Sequence, residues 1–204
     1  MRRTVTRLAC SVAVLACVAH LSAQAARLSK ADATRFQGKL TLIDKTAATP
    51  QGKKGAGARK TLVTDGEVNA YLKFLAGAQV PVGIADPLLH AAGTGRVEGR
   101  AVVDLDAVRT QKKRAWTDPL GYLMGRLPVT ASGTLTTKDG VGRFTLDTAA
   151  ISGVTIPKSL LQELVSYYSR SAERPAGINM DQPFQLPAAI REITIGQGTA
   201  TIVQ

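Results

Sequence analysis

The chain of 204 residues holds two cysteines, Cys10 and Cys17, and two histidines, His20 and His90. Both cysteines and His20 fall within the first 25 residues, which read as a removable leader, so the mature protein has no thiol and a single imidazole. That excludes a disulfide framework and the usual zinc sites, which need several Cys or His ligands. Also missing are a Gly-x-Ser-x-Gly nucleophile elbow and a dinucleotide fingerprint. Ala131-Ser132-Gly133 and Ile151-Ser152-Gly153 sit at strand or strand-end positions instead. Gly52–Thr61, GKKGAGARKT, imitates a phosphate-binding P-loop and fails: Gly57 follows Gly52 at the required distance, but Ala58 stands where lysine must be. No internal repeat of solenoid period is present. His90 has nothing near it in sequence to orient it, so a hydrolase could use it only through partners assembled in space. These absences leave no constellation that names a reaction, and the expectation is a protein without catalysis, cofactor or metal.

What is present begins with an address. MRRTVTRLACSVAVLACVAHLSAQAA carries Arg2, Arg3 and Arg7, then an apolar run from Leu8 to Leu21 broken by Ser11 and His20, then Ala23-Gln24-Ala25. This is the layout of a secretory signal peptide over residues 1–25, cut after Ala25. The run is short for a bilayer span. Val14-Leu15-Ala16-Cys17 loosely resembles a bacterial lipobox, which would instead place a lipid on Cys17. The expected location is the periplasm or cell envelope. The leader contains no acid, so losing its three arginines takes the formal charge from +11 to +8. A basic protein outside the cytoplasm meets lipid headgroups, envelope polysaccharides or acidic proteins rather than nucleic acid, although net charge also serves plain solubility.

Residues 26–204 are long enough for one domain with a sizeable core. Arg35–Ile43, RFQGKLTLI, alternates and predicts a half-buried strand. Residues 44–60 predict a flexible basic loop. Thr64-Asp65-Gly66-Glu67 fits a capping box and opens a helix with Val68, Leu72 and Leu75 on one face and Tyr71 beside them; Gly77 and Pro81 end it. Arg96–Asp106 predicts a strand whose polar face pairs Arg96 and Arg100 with Asp104 and Asp106. Val129–Thr137 and Val141–Ala149 form a hairpin through Lys138-Asp139-Gly140, and the chain closes on a second hairpin at Gly196-Gln197-Gly198. Between them GVTIPKSLLQELVSYYSR, Gly153–Arg170, breaks at Pro157 and continues as a helix with an apolar stripe of Ile156, Leu160, Leu161, Leu164, Val165 and Tyr168.

Consecutive hairpins with few helices predict an α+β domain: a mostly antiparallel sheet with a long amphipathic helix and a second, shorter one. Small residues on the apolar strand faces (Gly38, Gly99, Ala101, Ala131, Gly133, Gly142) suggest a curved sheet wrapped around the long helix. The space they leave must be filled by that helix or by a ligand. Lys112, Lys113 and Arg114 precede Trp116, Leu123 and Met124. Cations beside an amphipathic aromatic suit a headgroup interface, and Met and Leu an adaptable apolar mouth; the other reading tucks Trp116 and Leu123 into the core.

The helix VTDGEVNAYL, with Glu67, Asn69 and Leu72, resembles the Glu-x-Asn-x-x-Leu helix of small bacterial envelope proteins similar to the tubular lipid-binding (TULIP) superfamily, LmeA-like phospholipid-binding proteins among them. Leu186–Ile202, LPAAIREITIGQGTATI, resembles their closing segment. The resemblance covers those two stretches and the order of elements, and it lacks the Gly52–Lys60 loop. It implies a curved antiparallel sheet around a helix, an apolar slot for acyl chains, and carriage rather than turnover. The expected function is therefore binding of a lipid or other hydrophobic ligand between sheet and helix. Val68, Leu72, Leu160, Leu164 and Tyr168 would line the slot, and the Trp116 segment would form a gate or membrane contact. The alternative is an envelope interaction or scaffold module with a packed core and a basic surface for anionic partners.

Overall fold

The computed structural model describes residues 28–48, 58–110, 124–171 and 174–204. The chain is α+β, as its patterning predicts, with two antiparallel sheets and four helices among the described residues. The larger sheet is a meander of β2 (Ile84–Gly93), β3 (Arg96–Asp104), β4 (Arg126–Lys138), β5 (Val141–Ile151) and the two-residue β6 (Val154–Thr155), in that spatial order. The short β7 (Phe184–Gln185) pairs with the other end of β5. Three of its hairpins turn through a residue in the left-handed region followed by glycine: Thr94-Gly95, Asp139-Gly140 and Ser152-Gly153. These turns match the twist of the strands they join. Register shifts interrupt the ladder twice in β2 and once between Ser132 and Gly133, and such irregularities bend a sheet locally.

The smaller sheet is ordered β1 (Lys60–Thr64), β9 (Thr199–Val203), β8 (Glu192–Gly196). It lies against β2 and β4 and is stitched to them. The Thr137 hydroxyl accepts from Ile193 N (2.7 Å) and donates to its carbonyl (3.0 Å), and Ala92 bridges Gln197.

The first element departs from the expectation. Residues 30–48 are a helix, α1 (Lys30–Ala48), not a strand. Ser29 caps it, accepting from Asp32 N at 3.1 Å. Its inward side, Ala33, Phe36, Leu40 and Ile43, follows helical spacing. Phe36, Gly38, Leu40 and Leu42 also happen to alternate, and a nine-residue window cannot separate the two periods. Gly38 consequently belongs to no strand face, and the predicted loop loses its first five residues to the helix and Lys60 to β1. Residues 49–57 lie outside the described residues.

α2 (Asp65–Phe74) packs on α1 around Ala33, Ala70, Tyr71 and Ala76, with the Phe36 ring edge-on to Tyr71 at 5.3 Å. The strand expected over residues 96–106 stops at Asp104, whose carboxylate accepts from Ala107 N and starts α3 (Leu105–Thr110). Asp104 and Asp106 therefore do not share a strand face. Arg96 pairs instead with Glu98 at 3.7 Å and with Asp147 of β5 at 3.4 Å. α4 (Lys158–Ser169) begins after Pro157 and lies over the apolar face of the large sheet.

Candidate functional site

Alternation along β3, β4 and β5 puts Gly99, Ala101 and Val103, Leu127, Val129 and Ala131, and Ala149 and Ile151 on one face. Opposite stands α4, which presents Leu161, Leu164, Val165 and Tyr168, preceded by Ile156. The two surfaces do not close on each other. Of the twelve residues of α4 only Leu164 is buried, and a cavity of about 660 Å³ remains between helix and sheet. α3 contributes Leu105 and Val108, and Pro81, Val82 and Pro87 form part of its rim. A well-packed interior keeps few voids larger than a water, so a space this size in an apolar setting is a binding cavity or a liability.

The small residues act in two different ways. Gly99, Ala101 and Ala131 line the cavity and make room there. Gly133 and Gly142 do not: side chains added at those positions would meet the rings of Phe144 and Phe184 respectively. Two of the strand glycines thus accommodate aromatic rings of the protein itself rather than a helix or ligand.

α4 is held in place from behind. Residues 174–183 run along its outer side as a strap. The Gln162 side chain donates to the Ile178 carbonyl (2.9 Å) and accepts from Met180 N (2.8 Å), and Ile178 N donates to the Ser169 hydroxyl (2.6 Å). Lys158 pairs with Asp181. Gly177, at φ +77°, passes so close that a Cβ would fall on the Ser166 carbonyl oxygen. Helix and strap thereby form a unit whose polar bonds point away from the cavity.

The expected lining residues separate. Leu164 and Tyr168 line the cavity. Leu160, 39% exposed, does not line the cavity: it sits one turn before Leu164 but at the edge of the stripe, whose centre runs through Leu161 and Tyr168. Val68 and Leu72 lie on α2 and line no part of this cavity; Leu72 packs against the Ala33–Tyr71 cluster. α2 is engaged by α1 and β2, so its expected stripe is not its buried face, and Leu75 is exposed. The residues it buries are Glu67, Asn69, Ala70 and Tyr71. Of the expected gate, Lys112, Lys113, Arg114, Trp116 and Leu123 lie outside the described residues, and Met124 is exposed. The strand reading, which runs through Leu105 to Asp106, misses the α3 residues.

The other face of the sheet is polar. A groove there is lined by Asp65, His90, Arg96, Glu98, Ser132 and Thr148, with Arg100 also facing it. His90 Nδ1 lies 2.7 Å from Asp65 Oδ2, so the histidine does have an orienting carboxylate, supplied by the first turn of α2. Ser132 Oγ is engaged with Thr148 Oγ1 at 2.9 Å and Arg96 at 3.4 Å. Among the described residues no nucleophile lies within hydrogen-bond reach of His90, no metal-ligand cluster occurs, and no helix is long and apolar enough to cross a membrane.

No family profile and no curated protein matches this chain. Among solved structures, a crystal structure of a lipopolysaccharide binding protein matches with a TM-score of 0.22 and 15% identity over 71% of this chain. This chain spans 40% of that one. A likeness at that level carries no argument about what the protein does.

Proposed function

We propose that this is an exported, non-catalytic protein of the cell envelope that binds a lipid or another ligand with an apolar body between the large sheet and α4. The observation that carries the reading is the 660 Å³ apolar cavity under a helix that buries only Leu164. Covering that lining with a ligand would supply the burial that helix and sheet do not give each other, at about 25 cal/mol for each Å² removed from water. Binding through area rather than through placed polar groups makes specificity loose. Export rests on the leader at residues 1–25, and the basic charge would keep the protein near anionic envelope surfaces.

Native mass spectrometry of the protein purified from a bacterial periplasm, with organic extraction of bound material, tests this. The expected result is a discrete extra mass that resolves into a lipid. Leu164→Trp, which puts an indole into the cavity, is expected to abolish that mass in a protein that stays folded. A clean apo mass that persists after incubation with envelope lipids would sink the proposal.

A further inference from the structure

We infer that the polar groove, on the opposite face of the large sheet from the cavity, is a second binding site whose ligand is an acidic sugar: its carboxylate or phosphate meets Arg100, and its ring hydroxyls meet Glu98 and the strand hydroxyls beside it.

Register lays out the floor of the groove. Along β3, Arg96, Glu98 and Arg100 point to this face, and Ala101 and Val103 to the cavity. Thr130 stands directly opposite Arg100, and Ser132 directly opposite Glu98, with Thr148 next to Ser132 on β5. The charges there are unevenly matched. Asp65 holds the His90 ring and the Ala91 N–H. Arg96 lies 3.7 Å from Glu98 and 3.4 Å from Asp147, and donates to Ser132. Arg100 pairs with no acid among the described residues. Its guanidinium keeps its charge and its N–H donors, in a planar fork that bonds carboxylate or phosphate oxygens two at a time. An anion is what this end of the groove lacks.

Glu98 adds a second requirement. Arg96 offsets its charge, but 3.7 Å is too long for a hydrogen bond, so its oxygens remain acceptors for a donor that a ligand brings. Acetate or a phosphate dianion has no such donor, whereas an alcohol does. Thr130 and the Ser132–Thr148 pair supply hydroxyls that can donate or accept. Two residues of strand separate Arg100 from Glu98, about 7 Å, which is the reach of one hexose ring with its substituents. Leu88, Gly99 and Ala131 complete the lining and give the C–H face of such a ring an apolar rest. A simple anion would satisfy Arg100 alone and a neutral sugar Glu98 alone; a sugar acid satisfies both.

The test is a titration of the isotope-labelled protein, expressed from its whole chain and followed by amide chemical shifts. Glucuronate, glucose-1-phosphate, glucose, acetate and inorganic phosphate are added separately at one pH near neutrality. Glucuronate or glucose-1-phosphate is expected to shift the amides of Glu98, Arg100, Thr130 and Ser132 saturably. It should do so at concentrations at least about tenfold below those that glucose, acetate or phosphate require, the size of effect one charge-assisted hydrogen bond supplies. Whichever of the two sugar acids binds more tightly identifies the anionic group as carboxylate or phosphate.

Two variants read the two halves of the site, and both replace exposed side chains that the fold does not rely on. Arg100→Gln is expected to bring the stronger sugar acid down to the level of glucose, while Arg100→Lys keeps part of the difference. Glu98→Ala is expected to bring the sugar acid toward the matching simple anion, because the acceptor for the ring hydroxyls is gone. Acetate or inorganic phosphate binding as tightly as the sugar acids would reduce the groove to a plain anion site and overturn the inference. Glucose binding as tightly as its acids, a preference unmoved in Arg100→Gln, or no saturable shift at all would overturn it as well. The cavity lies on the other face of the sheet, and its reading stands or falls with the native mass spectrum, not with these titrations.

Discussion

α2 and α4 are similar in length and opposite in construction. α2 buries four of its ten residues, two of them polar, and each buried polar group has a partner. The Glu67 carboxylate accepts both Lys39 bonds at 2.7 Å, ties α1 to α2, and completes the capping box with Thr64. Asn69 bonds both the N–H and the carbonyl of Leu89 on β2 at 2.8 Å. α4 buries one leucine toward the sheet and spends its polar side chains on the strap behind it. The contrast separates a joint from a wall: polar, fully matched contacts fix α2 against two neighbours, whereas apolar and incomplete contacts leave α4 facing a space that something else can occupy.

Removing the joint should have the largest effect. Glu67→Ala strips a nearly buried carboxylate from Lys39 and from the helix cap, and is expected to cost about 3 kcal/mol in urea unfolding. Burial alone would raise this carboxyl's pKa, but the Lys39 hydrogen bond, the Thr64 backbone N–H and the charges of Lys39 and Arg35 outweigh it and hold it below the ordinary glutamate value. A depressed folded-state pKa contributes stability above the ordinary value, which is lost as the pH falls toward the depressed one. The stability gap between the wild type and Glu67→Gln should therefore narrow in acid. A gap that widens there would contradict this account of the pair.

Asn69→Ala comes next, at about 2 kcal/mol, because it leaves a backbone N–H and a carbonyl on β2 without partners. Gly177→Ala should act locally: the strap is displaced from Ser166, and amide exchange speeds up in α4 while α2 stays protected. Equal acceleration in both helices would erase the contrast between them. The smallest effect on stability belongs to Leu164→Trp, about 1 kcal/mol, the low end for overpacking, because Leu164 is itself buried but borders the cavity. Its effect on ligand uptake should be the largest of the four.

Much of the architecture was legible in the sequence. The Thr64–Glu67 box, the Asp139-Gly140 hairpin, the closing hairpin and the helix after Pro157 follow from local chemistry acting within a few residues, and the structure has all four. α1 was misread because two periodicities coincide across Phe36–Leu42. On the cavity side, α4's stripe was visible as a stripe, but whether it meets side chains or space depends on the distance to the sheet, which no local pattern encodes. The role of Asn69 depends on a non-local neighbour, β2, twenty residues away. Glu67, Asn69 and Leu72, the residues of the resemblance, hold the fold together and stand apart from the cavity.

The Asn69 contact has one more consequence. β2 is the outermost strand of its sheet, and its outward-facing groups at Leu89 and Ala91 would otherwise invite a strand from another molecule. Asn69 occupies both groups of Leu89, Asp65 takes the N–H of Ala91, and Gly198 N takes its carbonyl. A side-chain amide imitating one peptide unit thus ends the sheet where it stands. The protein can keep a greasy hollow on one face of that sheet without offering this border as a template for fibrils.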